Sequence, residues 1–151
     1  MQTSNLIAAL RAPAREAPAS GIVDIMNYGR SREGIMALWA GEGDLSTPGF
    51  IADAAARALA AGETFYTWQR GIPELREALA RYHETQFGRR FSAEEFFITG
   101  SGMQAIQIAL AMTAQAGSEV IIPTPAWPNA AAAAGIAGAH PVEVPMRFGN
   151  A

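Results

Sequence analysis

The stretch FFITGSGMQAIQIALAMTAQAGSEVIIPT, residues 96–124, decides the fold. Phe96 to Thr99 is an aromatic and β-branched run and reads as a strand. Gly100-Ser101-Gly102 breaks it. Met103 to Gln115 then carries Ile106, Leu110 and Ala114 on one helical face, and Gly117 ends that helix. Val120 to Ile122 reads as a second short strand, cut by Pro123. Beyond it, Asn129 to Ala137 is an alanine helix stopped by Gly138, and Val142 to Val144 is a third strand flanked by prolines. Strands alternating with helices imply right-handed βαβ units, so the expected class is α/β, with a parallel-rich sheet and helices on both faces.

Upstream of this stretch the punctuation is equally clear. Ser46 or Thr47 can cap a helix with Pro48 in its first turn, Ile51, Ala55, Ala58 and Leu59 form its apolar stripe, and Gly62 stands past its end. Pro73 opens another helix, with Leu75, Leu79 and Tyr82 on one face and Gly88 as the stop. Its Glu77 and Arg81 are an i,i+4 pair worth roughly 0.3–0.5 kcal/mol on a solvated face. Gly21 to Arg32 suits a helix through Ile22, Ile25 and Met26. Ile35 to Trp39 reads as a strand or extended segment. Met1 to Ala19, interrupted by Pro13 and Pro18, reads as a loosely held arm.

Composition narrows the function. The 151 residues include no cysteine, and all eleven basic residues are arginine. Without lysine, chemistry through a lysine amine and the Walker-A phosphate contact are both excluded. A net charge of −3 and the absence of a basic stripe argue against nucleic acid as a partner. No disulfide framework exists, the N-terminus lacks the apolar core of a secretory signal, and no apolar run approaches a membrane span. The expectation is a soluble, cytoplasmic protein with neither nucleic acid nor membrane as partner.

Three places carry candidate chemistry. At the turn after the Phe96 strand, first-turn N–H groups converge on one point and Ser101 adds a hydroxyl, which makes an anion site. A tight turn with a serine cap is the plainer alternative. The same residues fit G-x-G-x-x-A of a dinucleotide fold, but Glu119 lies at the start of the following strand instead of its end, so that reading fits poorly. Trp127, in Pro123-Thr124-Pro125-Ala126-Trp127-Pro128, falls just past the carboxyl end of a strand, where open α/β sheets bind ligands. It either stacks on a planar ring or is buried against a helix. The connector Thr64 to Gly71 brings Phe65, Tyr66 and Trp68 into one loop, as an interface, a ligand wall or a local plug. His83 and His140 are lone histidines, and Glu94-Glu95 reads as a helix cap or a solvated face.

In order along the chain, Gly41-Glu42-Gly43-Asp44, Thr47-Pro48, Tyr66, Gly71-Ile72-Pro73-Glu74-Leu75-Arg76, Thr99 to Ala105, Gly117 to Pro123 and Trp127-Pro128 resemble the N-terminal third of class I/II aminotransferases. Those are fold type I enzymes dependent on pyridoxal 5'-phosphate. The resemblance runs from about Ile22 to Pro145, and its ordered spacing is specific where each short piece alone is not. It implies the N-terminal part of that family's large domain, incomplete here: residues 1–45 as arm and small-domain segment, and 46–151 as the first part of the cofactor-binding domain.

The resemblance also implies roles. The turn Ser101, Gly102, Met103 would hold the cofactor phosphate, Trp127 would stack on the pyridine ring, and Tyr66 would reach the phosphate of the neighbouring subunit, so a homodimer is implied. Gly41 would lie beside the substrate carboxylate. Ala126 and Met103 depart from the family's usual aromatic and small or polar residues, which touches specificity more than phosphate binding. The family's Schiff-base lysine, its ring-pairing aspartate and its carboxylate-binding arginine belong further along the chain than Ala151. The parent activity implied is amino transfer between an amino acid and a 2-oxo acid, with this segment inactive alone. A lyase or decarboxylase of the same fold, a non-catalytic aminotransferase-like regulatory module, and a nicotinamide-binding domain are the alternatives. The regulatory module would need a basic DNA-binding domain, and residues 1–20 are too short and not basic.

Overall fold

Proline and glycine set most element boundaries. In the computed structural model, which describes residues 3–149, the chain divides into two units, residues 1–40 with 100–151, and residues 41–99.

The first unit holds helices α1 (Thr3–Ala8), α2 (Ala12–Arg15) and α3 (Gly21–Arg30). The element order α6 (Gly102–Thr113), β1 (Glu119–Thr124), α7 (Pro128–Ala137) and β2 (His140–Pro145) completes it. β1 and β2 pair in parallel, Glu119 opposite His140 through Thr124 opposite Pro145. Joined by α7, they form one βαβ unit of an α/β fold. Gly138, at φ 89°, ends α7 in the left-handed region that only glycine enters cheaply.

α7 is alanine-rich and apolar on every side, the pattern of an enclosed helix. It packs against α2, α6, β1 and β2, and Ala133 and Ala134 are buried there. Small side chains allow that close approach from several directions. On β1, Ile122 is buried while the adjacent Ile121 is 70% exposed, so one face of the sheet is covered and the other, equally apolar, is open among the described residues. Parallel sheets normally have both faces covered. The chain exposes 12714 Å², whereas two separate compact domains of half its mass would expose about 8,900 Å². Its apolar faces are patterned for more cover than the described residues supply.

The second unit holds α4 (Gly49–Ala60), α5 (Pro73–Phe87) and a single 3-10 turn, Ala93–Glu95. An aromatic cluster surrounds half-buried His83, whose ring lies 5.3–5.6 Å from those of Tyr82, Phe87, Phe91 and Phe96, with Tyr82 and Phe87 on its exposed side. Ser92 and Glu95 cap the 3-10 turn reciprocally.

Several expectations change. Of the two readings of Ile35 to Trp39, a strand or an extended segment, the strand does not form: the Trp39 ring folds onto Gly29 of α3, where an added Cβ would come within 2.1 Å of it. Phe96 to Thr99 is extended but not assigned to a ladder; the Ile98 amide bonds to the carbonyl of Arg70 at 3.0 Å. Among the described residues two paired strands therefore stand where three were expected. Pro48 is the N-cap residue of α4, which starts one residue later than expected and has no side-chain cap from Ser46 or Thr47. Nor is the whole N-terminal arm loose. Arg11 donates to the carbonyl of Ile136 at 3.1 Å, placing a cation at the carboxyl end of α7.

Candidate functional site

The turn after Thr99 is organised by its own side chains. Ser101 is the N-cap of α6, in extended conformation, and its Oγ accepts from the Gln104 amide at 3.1 Å. Gln104 reaches back in turn, its Oε1 accepting from the Gly100 amide at 2.7 Å. This is a capping box displaced by one residue, and the Ser-x-x-Gln spacing was its readable signal. The amides of Gly102 and Met103 precede the first intrahelical partner and point out of the helix end. Gly102 is exposed with open space where a Cβ would be, while Met103 is half-buried. The plainer alternative, a turn with a serine cap, is thus what these side chains form, and the helix start itself is exposed at Gly102.

Trp127 is the N-cap residue of α7, ahead of Pro128. Its side chain is 50% exposed, so the burial alternative does not apply. The Gly117 amide donates to the carbonyl of Gly138 at 3.1 Å, and the His140 amide to that of Ser118 at 2.7 Å. The turn between α6 and β1 is therefore tied to the carboxyl end of α7 and the start of β2. The two helices pack on each other, so their amino ends, bearing Ser101 and Trp127, lie together at the carboxyl end of the parallel strands. Ligands of open α/β sheets bind at that end.

Tyr66 and Gly41 belong to the second unit. Tyr66 is fully exposed, with Phe65 and Trp68 also largely in solvent, so the loop aromatics are no local plug. Gly41 is exposed with no atom within 4 Å of a Cβ position.

Sequence reasoning missed the ion-pair network that fastens this loop. Arg76, buried on α5, donates from Nε to the carbonyls of Ala93 at 3.0 Å and Phe96 at 3.2 Å, and from Nη2 to Glu94 Oε1 at 2.7 Å. Arg70 bonds to the other Glu94 carboxylate oxygen and to the Glu94 carbonyl. The hydrogen bond from Arg76, with the charges of Arg70 and Arg76, holds the Glu94 carboxyl below the usual glutamate range. An arginine and a glutamate 18 residues apart leave no local signature. By contrast, Glu77 and Arg81 form only an exposed 3.9 Å pair, as their spacing indicated.

A cleft of about 750 Å³ lies between the N-terminal arm and the loop after β1, lined by Pro13, Glu16, Pro18, Thr124, Pro128 and Glu143 among others. No basic side chain lines it and two carboxylates do, so it is no anion site. No cluster of His, Asp and Glu among the described residues is placed to hold a metal ion. No helix among them is long and apolar enough to cross a membrane.

Residues 33–150 match the family model for aminotransferases of class I and II. The chain is 38% identical over 131 residues to an aspartate aminotransferase of Pyrococcus horikoshii, covering 87% of this chain and 34% of that protein. It is 40% identical over 111 residues to a probable aspartate/prephenate aminotransferase of Thermus aquaticus, covering 74% and 29%. Among solved structures, an aspartate aminotransferase of Thermus thermophilus with maleate superimposes with a TM-score of 0.81 at 35% identity, covering 92% of this chain and 37% of that one. The chain spans about a third of the length of the curated relatives it matches.

Proposed function

The chain belongs to the class I and II aminotransferases, and from that membership we propose that it is the N-terminal, cofactor-holding portion of a pyridoxal-phosphate-dependent aminotransferase. Residues 1–45 form the arm and small-domain segment of that enzyme, and 46–151 the first part of its large domain. It works in the cytoplasm as a homodimer, on amino acids and 2-oxo acids. The single observation that carries the reading is the shared placement of the Ser101 helix start and the half-exposed Trp127 at one end of the parallel strands.

The residues fit the cofactor. The amides of Gly102 and Met103, with Ser101, receive the phosphate, and the indole of Trp127 offers a flat face to the ring. An exposed helix start contributes about 0.3–1 kcal/mol to an anion, too little to retain a phosphate unaided. Tyr66 of the neighbouring subunit adds a hydroxyl donor, which is why the site needs a dimer. Gly41 leaves room for the substrate carboxylate. When bound, the cofactor supplies an electron sink for the amino acid's α-carbon. This chain orients the ring and anchors its phosphate, but with no lysine in its 151 residues it cannot anchor the cofactor covalently or move the substrate proton through a lysine amine. Alone it does not turn over.

The names of the relatives make aspartate with a 2-oxo acid the first substrate pair to test. The experiment is amino-group exchange by the longer protein that carries this segment, given aspartate and 2-oxoglutarate. Exchange dependent on added pyridoxal phosphate is expected. Elimination or decarboxylation products without exchange would overturn the reading in favour of another reaction of the fold.

A further inference from the structure

We propose that Glu94, with Arg70 and Arg76, is a positioning residue for Tyr66, an inference that rests on the cofactor reading above. The loop between α4 and α5 has its three aromatic side chains in solvent, so those side chains supply little to fix its path. At its start the Glu63 amide bonds to the carbonyl of Ala58 at 3.0 Å, and at its end the Gly71 amide bonds to that of Trp68 at 2.8 Å. The Thr64 amide also bonds to the carbonyl of Gly62 at 2.8 Å, and the side-chain contacts that hold the loop's far end lie at Arg70 and Gly71. The Arg70 side chain grips Glu94 at both carboxylate and carbonyl, its guanidinium covers the Phe97 ring at 4.6 Å, and its carbonyl accepts from Ile98. Gly71, at φ 98°, lets the backbone pass so near Ile98 that an added Cβ would come within 2.1 Å of it.

Glu94 is therefore a shared hinge pin. One carboxylate oxygen faces buried Arg76, which is fixed to the protein by two backbone carbonyls, and the other faces Arg70, four residues from Tyr66. A planar guanidinium with several fixed donors sets direction as well as distance, which a point charge such as lysine would not. A surface ion pair alone would stabilise little. What distinguishes this one is that its inner arginine is buried and hydrogen-bonded to backbone, so it transmits a defined position to the loop.

The test has two arms. In this chain, amide exchange is measured across residues 63–71 for Glu94→Gln, with Arg70→Ala as a second variant and Glu77→Gln as a control on the same helix. In the dimeric longer protein, pyridoxal phosphate dissociation is measured for Glu94→Gln, Tyr66→Phe and the pair. Expected results are at least tenfold faster exchange in the loop with the control unchanged, and weaker cofactor retention that is not multiplied in the double variant, because Glu94 acts through Tyr66. Unchanged loop exchange overturns the proposal whatever the cofactor does. So do single-variant effects on dissociation that multiply independently. If the loop loosens but the wild-type protein binds no cofactor, the functional reading fails and takes the role toward Tyr66 with it, while the clamp itself stands as a purely structural one.

Discussion

The amide of Gly117 donates to the carbonyl of Gly138 at 3.1 Å, tying the turn that leads from α6 into β1 to the carboxyl end of α7, in a unit whose helices bear Ser101 and Trp127 at their amino ends. Both glycines have φ above 80°. The backbone at one end of the βαβ unit thus helps set which groups meet at the other, about 15–18 Å away along helices of 10–12 residues that rise about 1.5 Å per residue.

Gly138→Ala is expected to cost about 1–2 kcal/mol, the penalty of a left-handed backbone with a Cβ. The space itself is adequate, since the nearest atoms to an added Cβ are those of Ala116 at 3.6 Å. Gly138→Asn should cost less, because asparagine tolerates that region. Urea unfolding midpoints check the order; an alanine variant as stable as the parent would contradict it.

Gly71→Ala should be worse than Gly138→Ala, since it adds overlap with Ile98 Cγ1 to the backbone strain at φ 98°. Overpacking of this kind costs about 1–3 kcal/mol. Trimming the neighbour in Gly71→Ala/Ile98→Ala removes the 2.1 Å contact with Cγ1, but leaves the Ile98 Cβ at 2.7 Å as well as the backbone strain. The double variant should recover part of the loss in amide-exchange protection at residue 98, and full recovery would show the backbone strain to be absent.

Acid should loosen the second unit through Glu94. Its carboxyl titrates below the ordinary glutamate value of about 4.3, chiefly through the hydrogen bond from Arg76. A depressed carboxylate stabilises the folded state above its ordinary value, and the contribution is lost as pH falls through the folded one. Melting of the second unit between pH 7 and 3, followed by Trp68 fluorescence, should therefore decline below about pH 4 in the parent. The decline should be shallower in Glu94→Gln, and an identical acid limb in both would contradict this origin.

Ser101→Ala should remove the cap of α6 at a cost of about 1 kcal/mol, whereas Ser101→Gly loses only a few tenths. The Gln104 amide, now bonded to Ser101 Oγ, reports it directly. Its exchange should accelerate in the alanine variant, and unchanged exchange would mean that another group satisfies it.

Where local chemistry decided the structure, the sequence was legible. Gly62, Gly88 and Gly138 take positive φ at the ends where they were read as stops, because only glycine makes those turns cheaply, whereas α6 ends earlier than read, at Thr113, and Gly117 lies in the turn before β1. Val120 to Ile122 and Val142 to Val144 lie within the two paired strands. The serine cap of α6 was readable because a serine between glycines at a strand-to-helix turn is a preferred N-cap. What escaped reading was non-local. Trp39 belongs to an apolar run that looks like a strand, yet its ring finds Gly29 ten residues earlier. Phe96 to Thr99 has a strand's composition, but the Arg70 carbonyl takes the Ile98 amide. The Arg76 to Glu94 pair joins residues that no periodicity connects, and the grip of Arg11 on α7 spans 125 positions.

The most direct measurement is titration of Trp127 fluorescence with pyridoxal phosphate, in a Trp39→Phe/Trp68→Phe variant that leaves one indole. Saturable, reversible quenching is predicted, competed by inorganic phosphate and at least tenfold weaker with pyridoxal lacking its phosphate. Quenching that is the same with and without the phosphate, or no quenching at all, would contradict a site in which the Ser101 turn anchors the cofactor and Trp127 covers its ring.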